Sequence, residues 1–193
     1  MHDTTTHPDV LTDWVSDVVA IESQIEEALD HQLKLSAGSA EVQDEFTHLH
    51  ATVRASKKRA VAFQEKLGAT PTAGIMQKGS EIIGKAAGMI DRMRKDAPAK
   101  ALRDDYVAFN LAAISYSALH TTALALADEP TQRFAEEGLR TYAGLVMRIN
   151  NVLPRAIVDD LIANDDIPVQ NPDVVQTCRE MIDRAWADAA QHI

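Results

Sequence analysis

The chain of 193 residues has a single cysteine, Cys178, so an intrachain disulfide is excluded. One thiol is consistent with a reducing compartment, and in an amphipathic helix we interpret it as a packing residue. Long apolar runs are also missing, since no stretch reaches the length that spans a bilayer. The first residues lack the basic start and apolar core of a signal peptide. We therefore expect a cytoplasmic protein with no membrane partner.

Basic residues are outnumbered, with 19 Lys and Arg against 29 Asp and Glu and a formal net charge of −10 at pH 7. Nucleic acids and anionic membranes bind basic surfaces, so we expect neither as a partner. The sequence contains no Gly-x-Gly-x-x-Gly or Walker-type loop for phosphate binding. One basic run, Arg54 to Arg59, is interpreted as a solvated helix face. Its functional alternative is an acidic protein partner, such as the acidic surface of another subunit.

Glycine (8) and proline (7) are few, and this composition favours helices. Apolar residues at helical spacing predict an all-α chain without strands. The predicted helices are A, Val10–Leu35; B, Ala40–Leu67; a shorter crossover, Ala73–Met93; C, Ala99–Ala127; D, Gln132–Leu153, bent or interrupted at Pro154 and continuing to Ala163; and a C-terminal helix, Asp173–Gln191. We predict a flexible tail over 1–9, a bundle over 10–163, and a linker with a C-terminal amphipathic helix over 164–193.

This order of helices predicts a ferritin-like four-helix bundle with a short crossover helix and an extra C-terminal helix. Glycines recur every four or five residues in the crossover, which we interpret as a tightly packed segment. The centre of helix C, Leu111 to Leu119, is almost uncharged, which predicts burial by several neighbours. Asp104 and Asp105 lie at its start, where acids complement the helix dipole.

A carboxylate metal site in such a bundle needs a Glu from each of two helices and a Glu-x-x-His pair from each of the other two. Helix A offers Glu22 within an apolar face, where a buried carboxylate needs a partner or a metal. Helix B offers Glu45 and His48 as a Glu-x-x-His pair, with His50 nearby, although a helix-surface role is the simpler interpretation of that pair.

Helices C and D do not complete the ligand set. Helix C has no Asp, Glu or His between Val107 and Leu119, and His120 lies at its far end. Helix D carries Glu136 and Glu137 but no His. We therefore predict no catalytic residues and no complete metal site, with Glu22, Glu45, His48 and His50 as the weak metal candidates.

Two segments resemble the YciE/YciF-type family of ferritin-like proteins. The first is Asp17 to Gln24, which contains Ile21-Glu22-Ser23-Gln24. The second is His48-Leu49-His50-Ala51-Thr52, followed by Leu67-Gly68 and Pro71. The stretch from Ala73 to Gly79 is similar to that family's glycine-bearing crossover. The resemblance covers roughly Leu11 to Leu161. The acidic and histidine positions of the family align with neutral or basic residues here: His50 and Ala51 in helix B, Ile114 to Ser117 in helix C, and Thr141 and Tyr142 in helix D. Only Glu22 matches a ligand position.

The resemblance implies the ferritin-like fold together with an emptied metal site. We therefore expect a metal-free structural or interaction protein without cofactor, homodimeric, linked to stress response and not an enzyme. One alternative is a metal-binding protein or oxidase that holds iron or manganese in a non-standard site. A third hypothesis is a small-ligand pocket near Ser115, Tyr116, Ser117 and Tyr142. If Glu22 is buried without metal, it needs a hydrogen-bond donor such as His50, Tyr116 or Tyr142.

Overall fold

A computed structural model describes residues 7–35, 39–68, 97–163 and 167–191. Within these ranges every regular element is an α-helix, which confirms the all-α prediction. The helices are α1 (His7–Gln32), α2 (Ala40–Lys66), α3 (Pro98–Ala125), α4 (Glu129–Ala163) and α5 (Val174–Gln191). None of them is both long enough and apolar enough to be a membrane-spanning segment.

The helix boundaries differ from the predicted ones in two informative places. The first helix begins at His7, so residues 7–9 of the predicted tail are helical. Helix α4 runs without interruption through Pro154, where the sequence predicts a bend or a break. Proline removes one backbone N–H donor and its ring clashes with the carbonyl four residues earlier, which together disfavour a helix by about 3 kcal/mol. The buried face of α4 on both sides of Pro154 offsets that cost. The predicted crossover helix, Ala73–Met93, lies outside the described residues.

Side-chain contacts fix the directions of the four long helices. Ser16 of α1 bonds Gln64 of α2 and Asp30 bonds His50, so α1 and α2 are antiparallel. Further pairs show α1 antiparallel to α3 (Glu22–Tyr116 and Gln32–Asp105) and α2 antiparallel to α4 (Glu45–Arg148 and Arg59–Glu137). Helices α2 and α3 therefore run parallel, and the chain between Gly68 and Ala97 joins opposite ends of the bundle.

The core lies between these four helices and is built from aliphatic and aromatic side chains. Its largest fully buried members include Tyr116, Tyr142, Phe46, Phe109, Ile25, Leu29, Leu49, Leu102, Leu119, Leu145 and Ile149. Helix α3 contributes one buried face only, because Val107, Ile114 and Leu124 are 43%, 64% and 54% exposed. The prediction that the centre of helix C, Leu111 to Leu119, is covered on most sides is therefore wrong at Ile114.

Helix α5 lies against the outside of α4 and has no buried residue. Arg179 anchors it, since its guanidinium donates to the carbonyl of Asn151 at 2.7 Å and to Glu41 of α2. An apolar cavity of about 290 Å³ opens between α4 and the start of α5, lined by Pro154, Ile157, Leu161, Val169, Val174 and Cys178. Met181 and Trp186, further along α5, are about half exposed.

Candidate functional site: a buried glutamate

Glu22 lies in the middle of α1, on the face that packs into the bundle. Val18, Ile21, Ile25 and Leu29 occupy the same face at helical spacing and are all buried. Glu22 itself is 0% exposed. The periodicity of α1 thus carries a carboxylate into the core, where the group requires hydrogen-bond donors or a positive charge.

Two hydroxyl groups from other helices donate to one oxygen of this carboxylate. The Ser56 Oγ of α2 donates to Glu22 Oε1 at 2.7 Å, and the Tyr116 hydroxyl of α3 donates to the same atom at 2.8 Å. Both donors are themselves 1% exposed. Glu22 therefore connects three helices through short buried hydrogen bonds, which have greater electrostatic strength in a core than at a surface.

Tyr142 of α4 completes the surroundings of the carboxylate. Its ring stacks on Tyr116 with a centroid distance of 5.8 Å, and it is 0% exposed. The Tyr142 hydroxyl and Glu22 Oε2 are both buried, and neither has a hydrogen-bond partner among the described residues. All four long helices thus contribute one polar side chain to a single cluster, which we call the hydroxyl cluster: Glu22, Ser56, Tyr116 and Tyr142.

Gly138 of α4 makes the position of Tyr116 possible. A Cβ atom on Gly138 would lie 2.1 Å from Tyr116 Cε1 and 2.3 Å from Cζ, well inside van der Waals contact. The ring of Tyr116 therefore passes directly over the α4 backbone. Phe134 lies on its other edge at 5.7 Å, and Phe63 stacks on Phe134 at 4.2 Å. These contacts hold the phenol in the orientation that reaches Glu22.

Burial dominates the electrostatics of the hydroxyl cluster. It raises the pKa of Glu22 above the ordinary value of 4.5. Hydrogen bonds from Ser56 and Tyr116 lower that pKa in part, and the nearby Tyr142 hydroxyl and the charge of Arg59 act in the same direction. Burial together with the nearby carboxylate raises the pKa of both Tyr116 and Tyr142 well above the ordinary value of 10. Both phenols are therefore neutral donors at physiological pH.

The basic run of α2 is paired within the chain. Arg59 contacts Glu137 of α4 at 3.2 Å, Lys57 bonds Glu26 of α1, and Arg54 lies 3.7 Å from the same carboxylate. The predicted alternative was that this basic run binds an acidic partner. Part of the run is instead paired with acidic side chains of the same chain. These pairs flank the hydroxyl cluster on its outer side.

The other predicted metal candidates do not join Glu22. Glu45 accepts two hydrogen bonds from Arg148, at 2.6 and 2.7 Å. The ring of His50 bonds Asp30 at 2.8 Å, and His48 is exposed on α2 beside Thr52. In the part of the chain that the structure describes, no three His, Cys, Asp or Glu side chains come together as a metal-ion site.

The donors to Glu22 were only partly predictable. Tyr116 is confirmed as a donor, whereas His50 is wrong because it bonds Asp30. The predictions from the sequence identify neither Ser56 as a donor nor Gly138 as the position that admits the Tyr116 ring. Ser56 had a usable signal, because it continues the buried spacing of Leu49, Val53 and Ala60 on α2. The helix B residue that faces Glu22 is thus Ser56, rather than the aligned His50 or Ala51.

The small-ligand hypothesis concerned the region around Ser115, Tyr116, Ser117 and Tyr142. Ser115 donates back to the carbonyl of Leu111 at 2.8 Å, and the two tyrosine rings stack on each other. The apolar cavity lies elsewhere, between α4 and α5.

A family model described as "Domain of unknown function (DUF892)" matches residues 6–161. This range includes α1, α2, α3, all but the last two residues of α4, and the hydroxyl cluster, and it stops before α5. No curated protein and no solved structure matches the chain.

Proposed function

Since this chain belongs to the family described as a domain of unknown function, DUF892, we propose that it is a metal-free, ferritin-like bundle with a structural or interaction role. The helix directions support the ferritin-like part. The packed pairs α1–α2, α1–α3, α2–α4 and α3–α4 are all antiparallel. Helices α2 and α3 therefore run parallel, and one long connection joins opposite ends of the bundle. One long crossover between two helical hairpins is the connectivity of ferritin-like folds.

The observation that carries the metal-free part is the way Glu22 is held. Its Oε1 accepts hydrogen bonds from Ser56 and Tyr116, so neutral hydroxyls stand where a ferritin-like site needs further carboxylates or histidines. A single carboxylate with a raised pKa attracts a divalent cation weakly, because it is easily protonated and brings only one negative charge. The cluster instead ties three helices together.

Metal analysis tests this proposal. The protein is purified from cells grown with added iron, manganese or zinc, and the metal content per chain is measured by mass spectrometry. We expect far less than one equivalent of each metal, with the same trace level in Glu22→Gln. Stoichiometric metal that Glu22→Gln fails to retain would overturn the proposal.

That second outcome would favour the alternative of a metal-binding protein or oxidase with a non-standard site. The alternative requires Glu22 and His50 to act together, so Glu22→Ala and His50→Ala would each abolish binding. The contacts of Glu45 with Arg148 and of His50 with Asp30 give this alternative less support.

We propose a second copy of this chain as the interaction partner, with α5 as the contact. Met181 and Trp186 are 50% and 46% exposed on a helix that buries none of its residues, and association sites are contiguous patches of such exposed apolar side chains. Glu180 and Arg184 carry opposite charges one turn apart beside them. Two antiparallel copies of α5 would therefore bring opposite charges together across a twofold axis.

Removal of residues 173–193 tests the dimer. We expect the truncated chain to have the helical content of the remaining bundle and half the solution mass of the full chain by light scattering. Trp186→Glu is the matched point variant and should also lower the mass. An unchanged mass in both would contradict a dimer through α5. A link to stress response stays a prediction of the family resemblance.

A further inference from the structure

A second buried polar pair joins the end of α1 to the start of α3. Gln32 is the last residue of α1, and Asp105 lies in the second turn of α3. They are 4% and 1% exposed. The Gln32 Nε2 donates to Asp105 Oδ1 at 2.9 Å across 73 positions of sequence. Asp105 is therefore an internal partner of α1 rather than a solvated acid at a helix start.

The two remaining atoms of this pair define its chemistry. Gln32 Oε1 and Asp105 Oδ2 are both buried, and neither has a hydrogen-bond partner among the described residues. If Asp105 is ionised, both atoms are acceptors and both are unsatisfied, and a buried polar group without a partner destabilises the folded state. A proton on Oδ2 converts one of them into a donor.

A carboxylic acid and a primary amide present matching edges, each with one donor and one acceptor. We propose that Asp105 is protonated in the folded protein and donates from Oδ2 to Gln32 Oε1, which closes a ring of two hydrogen bonds. This ring is a pH-sensitive latch between α1 and α3: proton loss opens it and leaves a buried carboxylate facing an amide oxygen.

The charges around Asp105 favour its neutral form. Burial raises the pKa of Asp105 to about 7, the hydrogen bond from Gln32 lowers it in part, and the charge of Asp104 raises it further. From α1, the facing group is the uncharged amide of Gln32, and the basic residues at this end of the bundle, His31, Lys34 and Lys100, are exposed.

The charged groups of α2 and α4 at this end are occupied with one another or with the backbone. They form these contacts: Glu45 with Arg148, Arg155 with Asp159, and Asp160 with the N–H of Ala99. None of the ion pairs among the described residues includes Asp105. In the described part of the chain, no ion pair therefore stabilises the ionised form of the Asp105 carboxylate.

The latch has a defined sign with respect to pH. Between the ordinary pKa of 3.8 and the folded value of about 7, the folded chain holds a proton that the unfolded chain has lost. The folding equilibrium constant then falls as pH rises, by up to tenfold per pH unit, and becomes constant above the folded pKa. The latch is closed below about pH 7 and open above it.

Asp105→Asn isolates this effect, because an asparagine amide supplies the donor and the acceptor at every pH. Unfolding by urea is measured for the full chain from pH 4 to pH 9. We expect the folding equilibrium constant of the wild type to fall relative to Asp105→Asn across the interval from about pH 4 to about pH 7. Asp44→Asn, at an exposed position of α2, is the control and should keep the wild-type profile.

A profile of Asp105→Asn that coincides with the wild type would overturn the proposal. If the variant fails to fold, a carbon-13 titration of the Asp105 carboxyl in the unaltered protein gives the same information. A midpoint near 7 supports the latch, and a midpoint at or below the ordinary range of aspartate, about 4, contradicts it. Hydrogen exchange supplies the local readout. Above pH 7, the last turn of α1 should exchange faster in the wild type than in Asp105→Asn.

Discussion

At the scale of single residues, the core of this protein stabilises a carboxylate with hydroxyl groups. Ser56 and Tyr116 donate to Glu22, and Arg59 acts on it only from the outer side of the bundle. Neutral donors compensate for lost hydration less fully than a cation or a metal ion does. Burial therefore raises the pKa of Glu22 above its ordinary value, and the hydrogen bonds offset this shift only in part.

Replacement of Glu22 by Gln should remove one source of pH dependence. The pKa of Glu22 is raised in the folded state, so the wild type loses stability as pH increases from about 4.5 through the folded pKa. The slope is at most about 1.4 kcal/mol per pH unit. Urea unfolding between pH 4 and pH 9 should show this slope reduced in Glu22→Gln. Glu27→Gln, at an exposed position of the same helix, should retain it, and equal slopes in both variants would refute the expectation.

The two tyrosines of the hydroxyl cluster should respond differently to loss of their hydroxyl groups. Tyr116→Phe removes a donor from buried Glu22, and we expect a loss of about 1–3 kcal/mol in the free energy of unfolding. Tyr142→Phe removes a buried hydroxyl that lacks a hydrogen-bond partner, so its effect should be near zero or stabilising. Chemical denaturation at pH 7 measures both, and an equal loss in the two variants would show that this distinction is wrong.

At the scale of helices, the sequence predicts each element better than the register between them. Apolar spacing places α2 correctly because that spacing depends on one helix alone. Which residue of α2 faces Glu22 depends on how far two helices slide along each other, and packing across the interface sets that distance. Ser56 lies six residues, about 1.7 helical turns, after the aligned His50. Gly138 escaped prediction for the same reason, since its role depends on a ring from α3.

The contact of α3 with α4 at Gly138 can be tested with a matched pair of variants. Gly138→Ala places a methyl group on the ring of Tyr116, which should shift the ring and weaken its bond to Glu22. We expect a loss of about 1–3 kcal/mol in the free energy of unfolding, as for other overpacked cores.

Gly144→Ala is the control, because a Cβ there has no neighbouring atom within 4 Å. It should stabilise the same helix by about 0.5–1 kcal/mol, the general advantage of alanine over glycine in helices. A similar change in both variants, of either sign, would show that Tyr116 does not depend on Gly138.

At the scale of the whole molecule, the sequence predicts the order of the helices. It does not predict which buried polar side chains form hydrogen bonds with one another. Composition and spacing predict an all-α bundle because helix formation and burial leave regular patterns in one chain. The pairing of Gln32 with Asp105, 73 residues apart, leaves no such pattern. From the sequence, Asp104 and Asp105 are interpreted as acids that complement the dipole of α3. Only the packing of α1 against α3 shows that Asp105 accepts a buried hydrogen bond from Gln32.

The central claim is that Glu22 is held by hydroxyls in a bundle that functions without metal, and calorimetric unfolding with and without metal tests it most directly. Melting temperatures of the wild type and Glu22→Gln are compared in EDTA and in excess Mn²⁺, Fe²⁺ or Zn²⁺. A metal at 100 times its dissociation constant adds about 2.7 kcal/mol to the free energy of unfolding, on the order of 5–10 °C for a chain of this size. We predict no metal-dependent rise that differs between the two proteins. A rise of that size in the wild type, absent from Glu22→Gln, would contradict the claim.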